Sequence, residues 1–134
     1  MIQVILGKKG SGKTKRLIDL ANEALKVEHG YVVFIDDDKR YMYDLRHEIR
    51  FIDASEYEIT NAHRFYGLVC GMLSVNFDIT LVFVDAFLKM TGSDPEDLKW
   101  LFDRLDALSQ ARHVNFVITV SGDPADIPEF ITRY

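Results

Sequence analysis

Short apolar runs alternate along this chain with stretches in which apolar residues return every three or four positions. The runs "IQVIL", "YVVFI", "IRFID", "ITLVFVD" and "VNFVITV" are rich in β-branched and aromatic residues. Runs of this kind read as strands buried on both faces. They predict strands near 2–6, 31–35, 49–53, 79–85 and 114–120.

The intervening stretches carry a helical period. Leu17, Leu20, Ala21, Ala24 and Leu25 fall on one face, opposite Lys15, Arg16, Asp19 and Glu23, and Gly30 follows as a stop signal. From Thr60 onward the period returns in Phe65, Leu68, Val69, Met72 and Leu73. Gly67 and Gly71 interrupt that helix, and since glycine is costly inside a helix, close packing against the sheet is expected there. "SDPEDLKWLFDRLDAL" opens with Asp94 as a cap and Pro95 in the first turn. Its core face is Leu98, Leu101, Phe102, Leu105 and Leu108. Residues 40–49 are expected to form a short helix, and the proline-containing tail a loop with a short final strand. Alternating strands and helices imply parallel strands joined by right-handed crossovers. The expected fold is α/β, a three-layer α/β/α sandwich with a mainly parallel five-stranded sheet, in one domain spanning 1–134.

Between the first strand and the first helix stands "GKKGSGKT", Gly7 to Thr14, which matches G-x-x-x-x-G-K-[ST] without a gap. Glycines let successive backbone N–H groups turn toward phosphate oxygens, and the helix start adds its positive dipole end. Gly7, Lys8, Lys9, Gly10, Ser11, Gly12 and Lys15 are the candidate phosphate-binding residues; Lys8 and Lys9, at the variable positions, are read either as solvated side chains or as making the loop locally positive. In such a loop Lys13 reaches the terminal phosphates, and the Thr14 hydroxyl serves Mg²⁺. A second candidate is Asp85, at the carboxyl end of "LVFVD", where ligands bind in open α/β sheets. Its alternative reading is a turn or helix-capping aspartate. "FIDDDKRY" ends the second strand on the same sheet edge. Asp36, Asp37 and Asp38 are read either as a solvated turn, as a Mg²⁺ or water-polarising group, or as a base toward a substrate hydroxyl. Tyr41 and Tyr43 are read as packed or half-exposed residues, with base stacking as the alternative.

The Gly7–Thr14 loop resembles that of the P-loop NTPase superfamily. "LVFVD" resembles that superfamily's second signature, a strand ending in a metal-holding aspartate. The order of elements, with "VNFVITVSGDPADIP" after Asp85, resembles the RecA-like branch, in particular the HerA/FtsK, zonula-occludens-toxin and PilT-like ATPases. There a segment like "TQRPSDIP" stands where this chain has "SGDPADIP". The resemblance implies ATP and Mg²⁺ as cofactors, with Thr14 and Asp85 on the metal and hydrolysis as the reaction. Two departures are visible. The branch normally has Glu after the aspartate, where this chain has Ala86, and its polar Gln falls near Ser121 or Gly122. Thr119 and Ser121 are weak substitutes, so hydrolysis is expected to be slow unless a neighbouring subunit or a partner protein supplies the missing group. Arg104, Arg112 and Arg133 are candidates for that role or ordinary surface arginines. "FIDDDKRY" also resembles the second-strand end of RecA-like thymidine kinases, but the zinc-binding lid cysteines of those enzymes are missing. The readings are therefore an ATPase, a non-hydrolysing nucleotide switch and a small-molecule kinase.

Composition narrows these choices only at the margins. Hydrophobic residues make up 48% and charged residues 28%, an ordinary globular balance. A net charge of −5 argues against electrostatic coating of nucleic acid without excluding a local basic site. The single cysteine, Cys70, is read as a core residue, and a reducing cytoplasm is the simplest expectation. The four histidines are too scattered for a metal pair, and no apolar run is long enough to cross a bilayer. N-K-x-D, the guanine signature, is missing, which tilts the choice of base toward adenine.

Overall fold

A computed structural model describes residues 1–134. The predicted strands appear as β1 (Ile2–Gly7), β2 (Tyr31–Asp36), β3 (Arg50–Asp53), β4 (Ile79–Val84) and β5 (Asn115–Ser121). The helices are α1 (Lys13–Ala24), α2 (Ala62–Val75), α3 (Phe87–Thr91) and α4 (Pro95–Arg112). All five strands are parallel, in the spatial order β1-β5-β4-β2-β3. The expected α/β/α sandwich is therefore present, and its sheet is wholly parallel.

The strands are mostly apolar because successive side chains feed opposite layers. Val33 and Ile35 enter a core with Phe65, Val69, Leu73, Leu101, Phe102 and Leu105, under α2 and α4. Val32 and Phe34 enter the other core, with Leu17, Ile18 and Ala21 of α1. The α4 start is as expected: Asp94 accepts a hydrogen bond from the Glu96 N–H at 2.9 Å, and Pro95 follows it.

Several expectations are corrected. α1 buries Ile18, whereas Leu20 is exposed. Gly67 and Gly71 lie on the solvent face of α2, where an added Cβ would meet nothing within 4 Å, so close packing does not explain them. Cys70 is half-buried rather than fully in the core. Residues 40–49 form only a 3₁₀ turn, Met42–Asp44. Asn22 of α1 takes over the backbone groups that follow: its amide donates to the Asp44 carbonyl at 3.0 Å and accepts from the Arg46 N–H at 2.9 Å. Leu45 is extended and buried against α1. The tail ends in a 3₁₀ turn, Glu129–Arg133, in place of the short strand expected. Pro128 lacks an N–H for pairing, and Ile131 is buried in the α2–α4 core. No helix is long and apolar enough to cross a membrane.

Candidate functional site

β1 stops at Gly7 and α1 starts at Lys13, so a five-residue turn crosses the carboxyl edge of the sheet. Gly10 and Gly12 have φ of +82° and +88°, the left-handed region, where a side chain costs about 1–2 kcal/mol. A Cβ on Gly7 would lie 2.5 Å from Ser11 Oγ and 3.2 Å from the Lys13 side chain, so a larger residue there would make the Ser11 hydroxyl and the Lys13 stem shift. Lys13 is buried and crosses the loop, donating from Nζ to the Lys8 carbonyl at 2.9 Å. The Gly7 carbonyl accepts from the Gly122 N–H at 3.1 Å, which ties the loop to the end of β5.

Strand order brings the second half of the site to this loop. β5 lies between β1 and β4, so the β5 side chain Thr119 stands beside Asp85 at the end of β4. Asp85 is 6% exposed and both its oxygens are satisfied. Oδ2 accepts from Thr14 Oγ1 at 2.9 Å, and Oδ1 accepts from Thr119 Oγ1 at 2.6 Å. A buried carboxylate requires such partners. Asp85 is thus oriented by two hydroxyls and held against the first turn of α1.

Asp36 ends β2, next to β4, where the Asp85 N–H donates to the Ile35 carbonyl at 2.9 Å. Asp36 is 2% exposed. Its Oδ1 accepts from the Asp37 N–H at 2.7 Å, and its buried Oδ2 has no partner. Burial away from water, reinforced by the charges of Asp85 and Asp37 against the opposing Asp37 N–H, pushes its pKa up to about 8. Asp37 and Asp38 are half-buried. Asp37 Oδ2 lies 3.8 Å from Lys89 Nζ, and Asp38 Oδ1 accepts from the Arg40 N–H at 2.8 Å.

These groups share one cavity of about 890 Å³. Lys9, Gly10, Gly12, Lys13, Thr14 and Lys15 form one wall; Asp36, Asp37, Asp38, Asp85 and Ser121 line it as well. Gly7, Lys8 and Ser11 shape the loop from outside that lining. Tyr41 and Arg40 line the cavity too, while Tyr43 is 90% exposed and lies outside the lining. Arg104 lies over Trp100, Arg112 donates to the Leu73 carbonyl, and Arg133 faces Glu129; none of the three lines the cavity. All four histidines are exposed.

The turn glycines, the buried Lys13 and the oriented Thr14–Asp85 pair fit a nucleotide phosphate chain with Mg²⁺. The acid expected after Asp85 has no equivalent at Ala86, which lines the cavity with φ +56°. Besides Asp85, the cavity is lined by Asp36 to Asp38, and by Asp19 and Asp44. Sequence reasoning gave Thr119 too small a part, although a lone hydroxyl inside "FVITV" was the available signal. It missed α3, and with it Lys89, because "AFLKM" is a short, mostly apolar segment one residue beyond β4, too short to show a helical period. No protein-family model matches the chain, and no curated protein matches it.

Proposed function

We propose that this protein binds ATP with Mg²⁺ and hydrolyses it slowly, with fast turnover reserved for a complex in which a partner or second subunit completes the site. The observation that carries the reading is the Thr14–Asp85 hydrogen bond of 2.9 Å, which joins the helix after the glycine turn to the end of β4. Hydroxyl and carboxylate at that point are the two protein oxygens a phosphate-bound Mg²⁺ calls for. Backbone N–H groups of residues 10–13 and the α1 dipole would hold the phosphates, and Lys13 would exchange the Lys8 carbonyl for a terminal phosphate oxygen. Bound Mg²⁺ would neutralise phosphate charge. Thr119 keeps Asp85 in one orientation. Ala86 offers no proton acceptor, which supports slow turnover.

The test is equilibrium binding of ATP and GTP with Mg²⁺, with phosphate release measured on the same samples. Lys13→Ala is expected to weaken ATP binding at least about tenfold, the loss of one charge-assisted contact. Lys13-dependent binding with no phosphate release would favour a nucleotide switch. Failure of both nucleotides to bind sinks the reading.

One observation favours a second reading, a small-molecule kinase. The cavity that holds the glycine turn is lined also by Asp36, Asp38, Arg40 and Tyr41. A phosphorylated acceptor formed from ATP would replace hydrolysis by this reaction.

A further inference from the structure

Three consecutive carboxylates at the end of β2 bring one ligand oxygen each to within 4.8 Å of one another. Acidic turns are common, and two of these side chains have ordinary compensation. Lys89 stands 3.8 Å from Asp37, and the Arg40 N–H donates to Asp38. Asp36 differs. It is 2% exposed, it lines the cavity, and its Oδ2 has no hydrogen-bond partner. Neither Lys89 nor Arg40 reaches that oxygen. A buried carboxylate oxygen without a donor is costly to keep ionised unless something outside the chain satisfies it.

We propose that Asp36, Asp37 and Asp38 form a divalent-cation site of their own on the cavity wall, separate from the Thr14–Asp85 position. Asp85 does not belong to the set of mutually close oxygens, and both its oxygens already accept hydroxyl hydrogens. The donors are all carboxylate oxygens, with no histidine or cysteine among them, so the site selects hard ions: Mg²⁺, Mn²⁺ or Ca²⁺. Asp36 supplies the buried anchor, and the half-buried Asp37 and Asp38 close the rim. Asp36, Asp37 and Asp38 all line the cavity with Arg40, so an anionic group of a second ligand there would be able to add to the ion's ligands. The site does not depend on the nucleotide reading.

The experiment uses Mn²⁺ alone, titrated into nucleotide-free protein, with free Mn²⁺ followed by its paramagnetic resonance. Wild type is expected to bind Mn²⁺. Asp36→Asn is expected to weaken that binding about tenfold or more, and the Asp37→Asn, Asp38→Asn pair to do the same, because ligand charge sets affinity in oxygen sites. Asp85→Asn is expected to keep a Mn²⁺ site. Melting curves establish that each variant is folded. Should Asp36→Asn fail that check, Asp38→Asn alone, at a half-buried position, is the deciding variant. Absence of Mn²⁺ binding, wild-type affinity in the deciding variants, or loss confined to Asp85→Asn overturns the proposal. Since no nucleotide is present, a failure here is distinct from failure to bind ATP.

Discussion

Thr119 donates its hydroxyl hydrogen to Asp85 Oδ1 at 2.6 Å from the middle of a strand whose adjacent residues, Ile118 and Val120, are apolar and buried. Replacing it by valine keeps the shape and removes the donor. Thr119→Val is expected to destabilise the protein by about 1–3 kcal/mol, the cost of an unsatisfied buried acceptor. Thr119→Ser, which retains the hydroxyl, is expected to cost less. Urea unfolding of the two variants side by side checks this.

The raised pKa of Asp36 makes stability depend on pH in a definite sense. The unfolded chain releases this proton near the ordinary value of 3.8, the folded chain only near 8. Between those values the folded state binds more protons, so this group's contribution is fully present below pH 3.8 and is lost as pH rises through about 8. Metal-free protein in chelator is expected to lose stability across that window. Asp36→Asn is expected to flatten the dependence and to melt higher than wild type at the alkaline end. Melting temperatures of both proteins from pH 4 to 9 decide it; parallel curves would remove the basis for the raised value.

Gly67 and Gly71 sit on the open face of α2 with nothing near an added Cβ. Gly67→Ala and Gly71→Ala are each expected to stabilise the protein by roughly 0.5–1 kcal/mol through helix propensity and a less disordered unfolded chain. Chemical denaturation of the single variants measures it, and a loss of stability would mean that the solvent face of α2 is covered by something.

Gly12→Ala works in the opposite direction. With φ at +88°, the new methyl group is expected to cost about 1–2 kcal/mol. Ala86→Gly relieves the same kind of backbone at φ +56° and is expected to be neutral or stabilising by up to about 1 kcal/mol. A thermal melt of both variants tests the assignment of these two backbone positions.

The sheet was readable because both of its faces are covered, which makes most strand positions apolar regardless of side. The glycine turn was readable because its backbone demands particular residues at fixed spacing. What escaped were features set by tertiary partners. The turn at Met42–Asp44 depends on Asn22, which donates and accepts across a gap of more than twenty positions. The face of α1 was misjudged at Leu20 because Ile18 faces the sheet instead. The part played by Thr119 required knowing that β5 enters between β1 and β4, an order that the period of apolar residues does not encode. The unpartnered oxygen of Asp36 is likewise a tertiary property, since Asp36 ends a strand flanked by β3 and β4.

The insertion of β5 between β1 and β4 also governs the route by which the chain becomes native. Ile2 pairs with Phe116, and β1 pairs with no other strand. The β2, β3 and β4 strands are contiguous neighbours and can assemble from the middle of the chain, while β1 must wait for the last strand and close a very long loop. The glycine turn is attached to that waiting strand. During synthesis, a chain that has not yet released β5 carries its glycine turn without a paired strand to hold it, so that turn takes its final shape only in the last stage of folding.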